Sequence, residues 1–113
     1  MRQGRTEDGQ PVPARVFERV VAQQTPVSLP TSRPRNGMIW WLQSESPMNE
    51  IGEQVPERSC QILGITGCAC LVMPAYDAVA VRMYNQLANP NGYDYLRDIR
   101  TFGNLAAGIL ETT

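Results

Sequence analysis

The stretch from Cys60 to Tyr84 constrains the fold of this chain more than any other part of the sequence. It has the composition of strands, and glycines interrupt it twice. The segment Pro74-Ala75-Tyr76-Asp77 then has the residues of a turn. After this turn, alternate apolar residues share one face of a further strand, namely Val79, Val81 and Met83. Because the connections are short, the sequence predicts antiparallel pairing of these strands.

Helical patterns lie on both sides of this region. Pro13 suits the first position of a helix, and the apolar residues that follow form one stripe: Val16, Phe17, Val20 and Val21. A second helix is predicted from about Tyr93 to Leu110, with candidate N-caps in the preceding segment Asn89-Pro90-Asn91-Gly92.

The middle of the chain contains one more apolar run between two loops. Met38–Leu42 is continuous and includes Trp40 and Trp41, which predicts a buried strand. The proline-containing segment 25–37 is predicted to be extended loop, and the acidic segment 44–56 a solvated connection. The predicted fold class is therefore α+β, with an antiparallel sheet flanked by N- and C-terminal helices.

The ionisable residues exclude several functions. All ten basic residues are Arg, and the sequence contains no Lys and no His. Because Arg cannot act as a general base, catalysis by Ser–His–Asp, Cys–His, Ser–Lys or a lysine Schiff base is closed to this chain alone. The net charge is −1 and no basic block is present, so neither nucleic acid nor an anionic membrane is an expected partner. A length of 113 residues fits one small domain or a piece of a larger one.

Three cysteines, Cys60, Cys68 and Cys70, lie close together in the sequence. An odd number is a poor disulfide framework and favours a reducing, cytoplasmic setting, although the location stays open. Three thiolates could bind a metal, but zinc requires a fourth ligand. Core packing is the preferred interpretation, and no cofactor is expected. No apolar run reaches the length of about 20 residues that spans a membrane, and the N-terminus lacks the apolar region of a signal peptide.

The segment Gly64-Ile65-Thr66-Gly67 is the most informative candidate site. Two glycines at a strand edge allow close approach of a ligand and leave backbone N–H groups free to stabilise an oxyanion. The same glycines are also typical of a bulge that only bends the strand. Spacing alone favours the bulge, because glycines of this kind usually mark bulges, and the oxyanion site stays open as the alternative.

Three blocks of sequence, in order along the chain, resemble the C-terminal region of β-lactamase-related serine hydrolases, a superfamily that includes penicillin-binding proteins and related esterases. The blocks are Arg2–Pro13, Asn36–Leu42, and the region containing Gly64-Ile65-Thr66-Gly67, Val72-Met73-Pro74 and Asp77–Met83. The resemblance extends to Tyr93-Asp94-Tyr95-Leu96. It implies that residues 1–113 are the C-terminal segment of such a domain, part of a β-lactamase/transpeptidase-like α/β sandwich.

The resemblance also implies a function, namely hydrolysis of an ester or amide through an acyl-serine. In the family, Ser-x-x-Lys and Tyr-x-Asn supply the nucleophile and base upstream of the matched region, and this chain contains neither. Ile62-Leu63-Gly64 takes the place of the family's Lys-Thr-Gly motif, and Ile65 would supply one oxyanion N–H. Ile62 carries no charge, Thr66 stands where relatives often have His, and Cys68 where they often have Gln. These differences favour esterase or amidase chemistry, or a decayed copy of the domain, over β-lactam hydrolysis.

On this interpretation the chain alone is inactive. A small-molecule ester or amide would bind only to the complete protein, and an exposed sheet edge would allow self-association. Two alternatives stay open, a stand-alone non-catalytic binding module on the same sheet and a metal–thiolate protein.

Overall fold

The computed structural model describes residues 13–83 and 91–113, which contain two helices and five strands. In chain order these are α1 (Ala14–Val21), β1 (Arg35–Asn36), β2 (Trp41–Leu42), β3 (Cys60–Leu63), β4 (Ala69–Met73), β5 (Ala78–Arg82) and α2 (Tyr95–Glu111). Three predictions fall wholly or largely outside the described residues: the block Arg2–Pro13, a strand end at Tyr84, and N-caps at Asn89 and Pro90.

The five strands form one antiparallel sheet in the order β1-β2-β3-β4-β5, so each strand pairs with its neighbour along the chain. The connection between β4 and β5 is a single 3₁₀ turn over Pro74–Tyr76, followed by Asp77 at a φ of 49°. The Asp77 N–H donates to the Pro74 carbonyl at 3.1 Å, and Asp accepts this left-handed conformation more readily than most residues. The predicted α+β class, the antiparallel meander and the turn at Pro74–Asp77 are confirmed.

The apolar run Met38–Leu42 is not the continuous strand that the sequence predicts. Only Trp41 and Leu42 pair as a strand, while residues 37–40 turn the chain back on itself, with the Gly37 N–H donating to the Trp40 carbonyl at 2.8 Å. Asn36, just before this turn, donates its N–H to the Thr25 Oγ1 at 2.9 Å. Ile39, at the tip of this turn, is 70% exposed.

The segment 44–56 also differs from its prediction as a solvated connection. Ile51 and Val55 are buried in the core. Gln43 holds this segment in place, because its Nε2 donates to the carbonyls of Gly52 and Val55. The glutamate side chains at 45, 53 and 57 remain exposed, as predicted, whereas Glu50 is half-buried.

α2 covers one face of the sheet. Its N-cap is Asp94, whose side chain accepts a hydrogen bond from the Arg97 N–H at 3.0 Å. The core between α2, the sheet and the segment 51–55 consists of Ile51, Val55, Leu71, Met73 and Ala107, with Trp41, Tyr76, Ala80, Phe102, Ala106 and Leu110 packed against it.

The opposite face of the sheet is apolar, and the residues that the structure describes leave part of it uncovered. On β3, β4 and β5 the strand register places six residues on this face: Cys60, Ile62, Cys70, Val72, Val79 and Val81. We call this set the open face. Cys60 is buried, but Val79 and Val81 on β5 are 55% and 59% exposed. An apolar face of this kind is normally covered in a folded domain.

Candidate functional site

The segment Gly64–Gly67 forms the turn of the β3–β4 hairpin. The Gly64 N–H donates to the Cys68 carbonyl at 2.8 Å, and the Gly67 N–H donates to the Gly64 carbonyl at 2.9 Å. Gly67 has a φ of +84°, the left-handed conformation that closes a three-residue hairpin loop and that favours glycine. The four predicted site residues therefore lie together at one end of the sheet.

The tip of this turn is open to a ligand. Ile65 is 91% exposed and Thr66 is also exposed. Within residues 13–83 and 91–113, no atom accepts a hydrogen bond from the Ile65 N–H. A donor in this state can bind an oxyanion. Its use by an enzyme stays a prediction.

Arg82, at the end of β5, joins this turn to α2. Its Nε donates to the Gly67 carbonyl at 2.8 Å, and its two terminal nitrogens donate to the Asp98 carboxylate at 3.2 and 2.9 Å. The guanidinium also lies 5.1 Å from the centroid of the Phe102 ring. The sequence gives no indication of these contacts of Arg82, because partners that lie 15 and 16 positions away leave no local signal.

Asp98 is held by a second residue besides Arg82. The Tyr93 hydroxyl donates to its Oδ2 at 2.6 Å. The hydrogen bond from Arg82 is the largest cause that lowers the pKa of the Asp98 carboxyl. Burial raises this pKa less strongly, and the hydrogen bond from Tyr93 lowers it further. Asp98 lies in the first turn of α2, where the helix dipole also favours a negative charge. The carboxylate is therefore ionised over the neutral range.

The three cysteines are free thiols. Cys60 is 6% exposed, and burial, with a smaller effect of Cys70, raises the pKa of its thiol to about 11. Such a thiol is a poor nucleophile and metal ligand at neutral pH. In the part of the chain that the structure describes, no three His, Cys, Asp or Glu side chains are grouped to hold a metal. Within the same residues, neither helix has the length and apolar character needed to cross a membrane.

A groove of about 1130 Å³ lies between α1, the segment 42–59 and α2. Its charged residues are Glu18, Glu45, Glu53, Glu57, Arg58 and Arg100. Arg100 pairs with Glu53 and donates to the Pro47 carbonyl at 3.0 Å. The groove reaches Ser59, just before β3, whereas the Gly64–Gly67 turn follows β3, so the two lie at opposite ends of this strand. The described contacts give the groove no chemical role.

Comparisons with known proteins give one informative match. The chain is 38% identical, over 105 residues, to an uncharacterized protein from Alkalihalophilus pseudofirmus. The match covers 92% of this chain and 31% of the relative, so the chain spans about a third of that protein's length. No protein-family model and no solved structure matches the sequence.

Proposed function

We propose that this chain is the C-terminal part of a β-lactamase-related serine hydrolase that acts on an ester or amide. The observation that carries the proposal is the Gly64–Gly67 turn. It presents the Ile65 N–H at an exposed sheet end, and the residues that the structure describes supply no acceptor for it. The third block of the resemblance falls on this turn and on the two strands that follow it. The second block falls on the β1–β2 hairpin, and Tyr93–Leu96 on the start of α2.

The open face supports the proposal that this chain is part of a larger domain. In an α/β sandwich both faces of the sheet are covered, and α2 covers only one face here. Ile62, which takes the place of the cation in the family's Lys-Thr-Gly motif, lies on the open face beside Cys70. The resemblance therefore implies that the nucleophile-bearing part packs on this side. The relative from Alkalihalophilus pseudofirmus is about three times as long as the matched region, which leaves enough sequence for such a part.

The proposed chemistry divides between the two parts of the protein. In the complete protein, the Ser hydroxyl of Ser-x-x-Lys attacks the substrate carbonyl carbon, and the Lys/Tyr pair passes the hydroxyl proton to the leaving alcohol or amine. The carbonyl oxygen gains negative charge in this step, and the Ile65 N–H donates to it. Water then hydrolyses the acyl-serine. The described part contributes an oxyanion donor, and with no Lys or His in the sequence the chain contributes no general base of the family's type.

The sequence around the matched region tests this proposal directly. We expect the unmatched part of the Alkalihalophilus pseudofirmus relative to contain Ser-x-x-Lys followed by Tyr-x-Asn, both before the region that matches this chain. The DNA that precedes the coding sequence of this chain should encode the same motifs in frame if the chain is a truncated copy. Absence of both motifs from both sequences would contradict the proposal.

The alternative is a stand-alone binding module that uses the open face. One observation favours it: the chain has a core of its own, in which Ile51, Leu71, Met73 and Ile99 are fully buried. A module of this kind should be a monomer that unfolds sharply and reversibly, with a Tm above about 65 °C. The fragment proposed above should instead aggregate, dimerise or unfold over a broad range, because Val79 and Val81 leave part of its open face exposed.

A further inference from the structure

We infer that Arg82 is a positioning residue that fixes the Gly64–Gly67 turn, and with it the Ile65 N–H, for the oxyanion of the substrate. This inference rests on the proposed function. It starts from the position of the turn, which lies at the end of a hairpin. Two backbone hydrogen bonds close the turn, between Gly64 and Cys68 and between Gly67 and Gly64, and the Thr66 Oγ1 lies 3.5 Å from the Cys68 Sγ. An exposed turn at the end of a hairpin opens more easily than the strands that it joins, unless a contact from outside the hairpin holds it.

Arg82 supplies such a contact. Its Nε–H donates to the Gly67 carbonyl at 2.8 Å, and the Gly67 N–H in turn donates to the Gly64 carbonyl. Arg82, on β5, therefore holds Gly67, and Gly67 holds the Gly64 carbonyl. This carbonyl belongs to the same peptide group as the Ile65 N–H.

The guanidinium is itself fixed from two other directions. Asp98 accepts two of its N–H groups, and the Tyr93 hydroxyl holds that carboxylate at 2.6 Å. The Phe102 ring lies against the guanidinium, with 5.1 Å between the Arg82 Cζ and the ring centroid. The turn is thus connected to the first two turns of α2, the longest element that the structure describes.

This arrangement requires Arg and not simply a positive charge. One planar group donates through Nε to a carbonyl and through both terminal nitrogens to a carboxylate, in directions set by its rigid geometry. A Lys ammonium on a flexible stem can replace the charge but cannot make the three contacts together. Arg82→Lys is therefore the informative variant, and Arg82→Met is a second one that keeps most of the apolar stem.

Arg100 provides a matched control. It also lies on a packed element, pairs with a carboxylate, Glu53, and donates to a backbone carbonyl, that of Pro47. Its contacts join α2 to the segment 47–53 and do not involve the turn. Arg100→Met should therefore affect stability in a similar way without affecting the turn.

The first experiment measures amide hydrogen exchange by NMR in this chain. We expect exchange of the Gly64 and Gly67 amides to become about tenfold faster in both Arg82 variants, relative to the β3–β4 ladder amides of the same variant. In Arg100→Met this ratio should stay as in the wild type. A uniform acceleration of all amides in the Arg82 variants, or no acceleration, would overturn the inference, because it would show a general structural role or none.

The second experiment measures activity in the complex of this chain with the Ser-x-x-Lys segment of a longer relative. Arg82→Lys should lower kcat about tenfold or more, while KM changes little. Removal of an oxyanion donor itself typically lowers kcat by about 10²–10³-fold, which sets the upper end of the expected loss. Unchanged kcat with a loosened turn would overturn the inference. An inactive wild-type complex would count against the proposed function instead, and the exchange experiment would still decide whether Arg82 fixes the turn.

Discussion

Gly103 lies in the middle of α2, where the helix backbone touches the buried segment that contains Ile51. A Cβ atom at position 103 would lie 1.9 Å from the Ile51 carbonyl oxygen and 3.1 Å from the Val55 Cγ2. The carbonyl oxygen belongs to the backbone, so it cannot rotate aside as the end of a flexible side chain can. Gly103→Ala should therefore push α2 and the segment 51–55 apart.

The cost can be worked from these distances. Carbon and oxygen atoms in contact are separated by more than about 3 Å, so α2 and the segment 51–55 must move apart by roughly 1 Å. The contacts between them then lose about a quarter to a half of their dispersion energy. Overpacking of this kind costs about 1–3 kcal/mol. Alanine recovers about 1 kcal/mol through its higher helix propensity. Because the clash is with backbone, we expect Gly103→Ala to lower the free energy of unfolding by about 2 kcal/mol.

Gly108 on the same helix provides the control, since a Cβ there meets nothing within 4 Å. Gly108→Ala should raise the free energy of unfolding by about 0.5–1 kcal/mol, through helix propensity alone. Urea unfolding followed by tryptophan fluorescence would measure both variants, because Trp41 packs against the core. If Gly103→Ala is as stable as Gly108→Ala, α2 does not pack on Ile51 as described.

Two ionisable groups and the open face allow three further tests. Burial raises the pKa of Cys60 to about 11, so its thiol should resist a chromogenic disulfide reagent at about pH 8 until the chain is denatured. Equal reaction rates of all three thiols in the folded chain would contradict this burial. Arg82 holds the pKa of Asp98 below its usual 3.8, so the carboxylate stabilises the fold at neutral pH, and this effect is lost as the pH falls through the lowered pKa. Asp98→Asn should accordingly be less stable than the wild type in urea at about pH 7 but not at about pH 2, and a difference that is independent of pH would refute the assignment. Replacing Val79 and Val81 together with Thr should reduce self-association in sedimentation velocity, because both are exposed on the open face; unchanged association would show that copies meet elsewhere.

The parts of the fold that the sequence predicts are those with strong local patterns. The alternation of Val79 and Val81 predicts β5, the residues of Pro74–Asp77 predict the turn before it, and the periodic apolar residues predict α2 to within two residues at each end. The N-cap of α2 differs from its prediction, because Asp94 and not the segment 89–92 caps the helix. Asp94 lies one residue before the first helical residue, so its side chain can accept a hydrogen bond from the Arg97 N–H.

The parts that the sequence does not predict depend on contacts between distant residues. β1 is a polar strand of two residues that exists because Thr25 binds Asn36. Ile51 and Val55 enter the core because Gln43 and Gly103 shape the space around them, and a polar sequence around two isolated apolar residues gives no periodic signal. At the candidate site, the sequence identifies Gly64–Gly67 but not the hairpin turn they form, nor its contact with Arg82.

Covalent labelling by a fluorophosphonate, read by mass spectrometry, tests the central claim most directly. The probe forms a stable adduct only with a serine that a neighbouring base activates. We predict no adduct on this chain alone, and one adduct per complex when the chain is combined with the Ser-x-x-Lys segment of a longer relative, on the serine of that segment. A stoichiometric adduct on the isolated chain, or a stable complex that takes up no probe, would contradict the account.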